Sequence, residues 1–163
     1  MKKLCLFFLL ITATTSGQNK LDKLLDRWNT RNVPYISVET LALPTTNAIL
    51  LDARAAKEFK VSHLKDAMRV GYAHFNTKET VAKLPKDKDT KIVVYCSIGI
   101  RSETVAHKLI KEGYTNVYNL YGGIFEWKNA NFKVVDTLGT ETEKVHTFNK
   151  NWSKWLTKGE KVY

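Results

Sequence analysis

The sequence is short of the residues that hold several familiar architectures together. It has 2 cysteines, too few for a disulfide scaffold or a four-cysteine zinc site. Its 4 histidines, His63, His74, His107 and His146, show no ligand-like spacing, so no metal is expected. The apolar run at residues 4–11 is far below the ~20 residues of a membrane-spanning helix. Acidic side chains are outnumbered, 16 against 26 basic ones, for a net charge of +10. The lysines are scattered, not gathered into a stripe with stacking aromatics, so no nucleic-acid partner is expected. What the chain does have, 44% hydrophobic and 11% aromatic residues, can bury a real core and excludes wholesale disorder. Its 163 residues suit one domain with small extensions.

Met1-Lys2-Lys3, the apolar run and the small, polar Thr12-Ala13-Thr14-Thr15-Ser16-Gly17 follow the charged, apolar and small-residue order of a secretory leader rather than that of a buried helix. Cys5 lies at the front of the apolar run, not at a cleavage point, which excludes a lipoprotein signal. Residues 1–17 are read as a signal peptide and Gln18 as the new N-terminus, so the protein is expected to be exported, periplasmic or secreted, with no stable membrane insertion afterwards. Cleavage there leaves 146 residues, a net charge of +8 and one cysteine, Cys96. A lone cysteine in an exported chain is either buried and inert or kept for its reactivity.

Leu21, Leu24, Leu25 and Trp28 have helical spacing and predict an amphipathic N-terminal helix within residues 18–33, ahead of Pro34. Strands are predicted at residues 35–38, 48–51, 68–70, 91–95 and 117–120, the run 48–51 being apolar enough to be buried on both faces. Helical turns are predicted at residues 39–43, 55–59, 80–84, 101–112 and 123–128. The helix at 101–112 buries Val105, Ala106, Leu109 and Ile110, and Gly113 stops it. Strands alternating with helices predict an α/β fold with a mostly parallel sheet, whose chemistry collects at the C-terminal ends of the strands. Asp52 and Cys96 both lie there.

Cys96-Ser97-Ile98-Gly99-Ile100-Arg101-Ser102 joins a buried strand directly to a helix. Wrapped this way, backbone N–H groups converge on the sulfur and the helix adds its positive end. Both favour thiolate over thiol and make the sulfur a nucleophile near neutral pH. Gly99 permits the tight turn, Arg101 shapes the loop and adds charge, and Ser102 hydrogen-bonds at the helix start. No histidine is near in sequence, so activation is by field rather than by a base.

The same loop resembles the rhodanese active-site pattern C-x-x-G-x-R-S. Asp52-Ala53-Arg54 with Glu58-Phe59 is similar to the family's D-x-R-x-x-x-E-[FY] element. Ser62-His63-Leu64-Lys65-Asp66-Ala67 resembles G-H-I-x-G-A, with Ser62 and Asp66 in place of both glycines, and Asn119-Leu120-Tyr121-Gly122-Gly123 with Trp127 matches G-G-x-x-x-W. The four elements run in the family's order over residues 35–131. The resemblance implies a three-layer α/β/α rhodanese-like fold with about five strands, spanning residues 34–132. It implies a sulfurtransferase in which Cys96 takes a sulfane sulfur from a small donor such as thiosulfate. The persulfide then passes it to cyanide, a small thiol or a protein thiol. Arg101 would share the catalytic site, and the N–H groups of Ser97, Ile98, Gly99, Ile100 and Ser102 would cradle the anion without metal or organic cofactor. Phosphatases on this fold use a loop one residue longer, so the five positions from Cys96 to Arg101 disfavour phosphatase activity.

Ile98 and Ile100 make the rim apolar and favour a protein or organic thiol partner. Asp52 and Arg54 read as a supporting pair, His63 as a hydrogen-bonded structural residue, and His107 and His146 as surface residues. Phe148, Trp152, Trp155 and Leu156 have helical spacing and predict an amphipathic helix in a C-terminal extension, residues 133–163, packed back on the domain, with the N-terminal helix near Trp28 as one place for it to dock. Two other classes compete with the enzyme: a non-catalytic rhodanese-like binding or regulatory module, and a thiol redox protein.

Overall fold

The computed structural model describes residues 12–163. The expected leader lies outside them as far as residue 11. The backbone is helical from Thr12, in α1 (Thr12–Trp28), which runs unbroken past residue 18. Leu21 and Leu25 are buried on it, whereas Trp28, expected on the same stripe, is 60% exposed. The helix has reached its end there, and the chain turns away through residues 29–31.

Five parallel strands form the central sheet: β1 (Tyr35–Ile36), β2 (Ile49–Asp52), β3 (Met68–Arg69), β4 (Ile92–Tyr95) and β5 (Val117–Leu120). Their order is β1-β5-β4-β2-β3, with β4 at the centre and every residue of it buried. Side chains alternate across β4 as the pleat requires. Val93 and Tyr95 enter one apolar cluster with Leu120, Ile124 and Phe125. Ile92, Val94 and Cys96 enter the other with Val105, Ala106 and Leu109. Helices α2 (Val38–Ala42) and α6 (Gly123–Asn129) therefore contribute to the first layer, and α5 (Arg101–Lys111) to the opposite one, with α4 (Thr77–Lys83) against it. Helix α3 (Ala56–Val61) follows β2. The sheet and layers are those expected of the rhodanese-like architecture.

Boundaries move where local bonds dictate. Ser37 is not in β1 but caps α2, accepting the Thr40 N–H at 3.1 Å. In β2 only Leu51 and Asp52 are fully buried, because β3 pairs with those two residues and leaves Ile49 and Leu50 half-covered. On α5, Val105, Ala106 and Leu109 are buried as expected, and Ile110 only partly.

The C-terminal extension departs most from expectation. No amphipathic helix forms over residues 148–156. The extension makes the pair β6 (Val134–Val135) and β7 (Glu141–Thr142), then β8 (Lys144–His146) and β9 (Glu160–Val162), with a single 3-10 turn at Ser153–Trp155 between the last two. The Asn149 side chain accepts the N–H groups of Asn151 and Trp152, and the Ser153 hydroxyl donates to the Lys150 carbonyl. Such local bonds compete with the helical ladder. Phe148, at φ +65, breaks the run as well.

The extension is built into the domain. His63 and Val135 exchange backbone hydrogen bonds at 2.8 and 2.9 Å, and Val134, Val145 and Leu156 belong to the first core cluster. His146, expected at the surface, is 3% exposed on β8 against α3. His63 stacks on Phe59 with ring centroids 3.8 Å apart and bonds the Phe59 carbonyl through Nδ1 at 3.0 Å.

Candidate active site

Cys96 follows β4 directly, and α5 begins five residues later, so the loop between them has to turn sharply. Gly99 provides the turn at φ +100, where a Cβ would also press on the Leu120 carbonyl at 3.3 Å. The Gly99 N–H donates to Cys96 Sγ at 3.2 Å, and the Ser102 N–H points to it as well. Of the expected N–H cradle at residues 97–102, these two reach the sulfur. The Ser102 hydroxyl lies 3.5 Å from Sγ and 2.7 Å from Asn119 Oδ1. Ile98 is buried in the first core cluster, and Ile100 is half-buried at the rim.

Turning N–H groups inward turns carbonyls outward, and these need donors. The Gly99 carbonyl receives Asn119 Nδ2 and Asn29 Nδ2, each at 2.8 Å. The Cys96 and Ser97 carbonyls receive the Ile124 and Phe125 N–H groups of α6 at 2.9 and 3.1 Å. Backbone approaches so closely there that a Cβ on Gly123 would collide with the Cys96 oxygen and lie 2.8 Å from Ser97 C and O. On the other side, Glu103 Oε1 accepts the N–H groups of Thr30 and Arg31 at 2.7 and 2.9 Å, which ties the end of the N-terminal segment to α5.

Arg101 is held by a bidentate pair with Glu58, at 2.8 and 2.7 Å, and it donates to Ser97 Oγ at 3.0 Å. Glu58 is fully buried, and burial pushes its carboxyl up. The hydrogen bonds and charge of Arg101 outweigh that and leave it below its ordinary value. Burial likewise pushes the Cys96 thiol up. The Arg101 charge, the Ser102 hydroxyl and the N–H groups of Ser102 and Gly99 bring it down past its ordinary value. The field around this buried sulfur thus favours the thiolate more than water favours that of an ordinary thiol.

Asp52 and Arg54 form a fully buried pair at 2.6 Å, and Arg54 also donates to the Ser62 carbonyl at 2.6 Å. Arg54 lies over the Tyr95 ring, whose hydroxyl accepts the Leu64 N–H at 3.1 Å. The pair joins the end of β2 to residues 62–64, and its side-chain hydrogen bonds run within the pair and to Ser62 rather than to the cysteine loop. Its place is the frame around the site.

A cavity of about 170 Å3 lies over the sulfur, lined by Ser97, Ile98, Ile100, Arg101, Phe148 and Trp152. Phe148 covers Arg101, with the guanidinium carbon 5.3 Å from the ring centroid. The sequence pattern assigned Phe148 and Trp152 to a helix face, and only tertiary contact brings them here. Glu58 and Asn119 stood in the quoted motifs without a role. A polar residue at a fixed distance from the loop was the one signal available for them. No sequence signal marked Asn29 or Glu103. Among the described residues, no group of three or more His, Cys, Asp or Glu could hold a metal ion.

Comparison with known proteins agrees with this geometry. The family model described as "Rhodanese-like domain" matches residues 38–130. A tRNA uridine(34) hydroxylase of Hamiltonella defensa is 33% identical over 118 residues, 71% of this chain and 31% of that protein. The adenylyltransferase and sulfurtransferase UBA4 of Candida albicans is 32% identical over 120 residues, 71% of this chain and 27% of that protein. The chain thus spans under a third of either relative. Among solved structures, the thiosulfate sulfurtransferase of Pseudomonas aeruginosa superposes with a TM-score of 0.58 at 23% identity, over 76% of this chain and 23% of that one. A Bacillus halodurans protein does so with a TM-score of 0.56 at 24% identity, over 77% and 88%. These structural likenesses concern the fold.

Proposed function

The chain belongs to the rhodanese-like domain family, and from that premise we propose that it is a sulfurtransferase working through a persulfide on Cys96. The observation that carries this reading is the position of Cys96 Sγ, met by the Gly99 N–H at 3.2 Å and lowered in pKa beside Arg101. Sulfur transfer is named for the Candida relative, of which the match covers 27%, and that supports the reading. Uridine hydroxylation is named for a protein of which the match covers 31%.

The Cys96 thiolate attacks the outer sulfur of a sulfane donor such as thiosulfate. The donor's sulfur–sulfur bond breaks, its remainder leaves with the electron pair (sulfite, from thiosulfate), and Cys96 keeps the transferred sulfur as a persulfide. The loop N–H groups and the N-terminus of α5 stabilise the terminal anion. A small thiol, a protein thiol or cyanide then attacks the outer sulfur, and Cys96 leaves as thiolate. The donor and acceptor classes come from the family resemblance. The leader-like residues 1–17 support an exported location, which N-terminal sequencing of the protein made in cells would test by finding Gln18 first.

Mass spectrometry after incubation with thiosulfate decides between the classes. The enzyme reading expects one added sulfur atom on the wild type and none on Cys96→Ser. A chain that gains no sulfur from any sulfane donor and turns over no cyanide is the binding module instead. Mixed disulfides at Cys96 without persulfide would identify a redox protein.

A further inference from the structure

The cavity over Cys96 has an unusual wall. Phe148 and Trp152 line it, and both lie beyond residue 130, where the family match ends. The turn that carries them is held by named bonds. His146 Nδ1 accepts the Phe148 N–H at 2.9 Å, and Asn149 Oδ1 accepts the Trp152 N–H at 3.1 Å. The Thr147 N–H donates to the Val162 carbonyl at 2.8 Å, anchoring the turn to β9.

Charge around this cavity is balanced before any substrate enters. Among the described residues that line it, Arg101 is the one cation, and Glu58 already takes both its terminal nitrogens. Phe148 covers its face. The loop N–H groups and the start of α5 can hold one negative charge, the one on the transferred sulfur. A second negative charge a few ångströms further out would lie among Phe148, Trp152, Ile98 and Ile100. There it would lose water and find no partner, which is costly. An uncharged organic group at the same place would make apolar contact with the same side chains. It also has room to extend. Past Arg101 and Phe148, which border both, the cavity adjoins a cleft of about 700 Å3 whose lining mixes Met68, Val70 and Tyr72 with the charged Arg69, Glu79 and Lys83.

Resting on the sulfurtransferase reading, we propose that Phe148 and Trp152 are specificity-determining residues for the sulfur donor, selecting a singly charged organic thiosulfonate over doubly charged inorganic thiosulfate. In that step the Cys96 thiolate attacks the outer sulfur of R–SO2–S⁻ and the sulfur–sulfur bond breaks. The organic sulfinate R–SO2⁻ leaves with the electron pair, and Cys96 carries the persulfide. No oxidant or reductant is consumed.

The test compares benzenethiosulfonate with thiosulfate as donors to the full chain, with cyanide as acceptor, for the wild type, Phe148→Ala and Trp152→Leu. Wild type is expected to show the higher kcat/KM with benzenethiosulfonate. Each variant is expected to shrink that ratio by about tenfold, the size of one lost aromatic contact in a pocket, through a raised KM for the aryl donor. Because both donors are read on the same preparation, a general loss of folded protein cancels from the ratio. A ratio unmoved by both substitutions overturns the proposal, as does a wild type that favours thiosulfate, and in either case the sulfurtransferase reading stands. Failure of both donors to add sulfur to wild-type Cys96 sinks that reading and the proposal together.

Discussion

Glu58 takes both terminal nitrogens of Arg101, at 2.7 and 2.8 Å, from a position where its own side chain is fully buried. The loop arginine is thus held from behind by α3 while it faces the Cys96 cavity. Its charge acts on the sulfur from a fixed distance, and its hydrogen bond to Ser97 keeps the loop's shape. One ion pair therefore serves both the electrostatics and the geometry of the site.

Removing the arginine should leave a buried carboxylate alone. Arg101→Gln is expected to destabilise the protein by about 2–3 kcal/mol at neutral pH, below the full cost of a wholly buried pair because the arginine is partly exposed. In the wild type Glu58 titrates below its ordinary value, so its contribution is present above the unfolded carboxylate range and lost as pH falls through the lowered folded value. In the variant burial is opposed only by the Ala55 N–H and the Arg54 charge, so the carboxyl titrates higher than in the wild type. Denaturant unfolding at several pH values should show the difference between the two proteins largest near neutrality and shrinking with acid. A constant difference would mean that Glu58 is not the group involved.

The same substitution should move the sulfur. Titration of the thiolate ultraviolet absorbance should place wild-type Cys96 below an ordinary thiol, with the inflection absent in Cys96→Ser. Arg101→Gln should shift it upward, since the charge that opposes burial is gone. Persulfide formation near neutral pH should slow in step with the lost thiolate. An unshifted inflection would assign the lowering to the loop N–H groups alone.

Two glycines with left-handed backbone should respond very differently to alanine. At Gly123 a Cβ meets the Cys96 and Ser97 backbone, so Gly123→Ala should displace the loop and cost more than about 3 kcal/mol, with loss of persulfide formation. At Gly113, φ +91, a Cβ meets nothing within 4 Å, and Gly113→Ala should cost only about 1–2 kcal/mol of backbone strain. Unfolding midpoints and persulfide mass spectrometry on the two variants measure the contrast.

His146 should contribute a pH dependence of its own. Burial holds its folded value below the ordinary one, partly countered by Glu58, and its Nδ1 accepts the Phe148 N–H. The unfolded chain takes up the proton first, near pH ~6.5, so stability is lost as pH falls below that toward the folded value. His146→Asn keeps an acceptor for Phe148 without a titrating ring. Its stability should be flatter than the wild type's across this window, and an identical slope would exclude His146 as the source.

Much of the frame was legible from the chain alone. Continuous apolar strands such as residues 92–95 and the spaced face of residues 105–109 have nowhere to go but a covered parallel sheet. Strand ends were less legible, because Ser37 and β2 respond to a cap and a short neighbour rather than to their own hydropathy. The extension misled for a related reason. Helical spacing at Phe148, Trp152, Trp155 and Leu156 records which residues are apolar, not which local bonds compete. Asn149 and Ser153 bind the backbone locally and leave room for just one 3-10 turn.

By itself the sequence determined the α/β architecture, the order of its elements from β1 to α6 and the location of Cys96 in a strand-to-helix loop. Those are properties of neighbours along the chain, where hydropathy, glycine and spacing act directly. Tertiary structure alone decided that Glu58 backs Arg101, that Asn29 and Asn119 share the Gly99 carbonyl, and that Phe148 and Trp152 stand over the sulfur. Each of these joins residues from 20 to 70 positions apart. Such contacts arise because outward carbonyls, buried charges and uncovered apolar faces must find partners wherever packing brings them. The 2 cysteines counted at the outset are too few for a disulfide scaffold or a four-cysteine zinc site. What surrounds Cys96 could be read only after the chain had closed on itself.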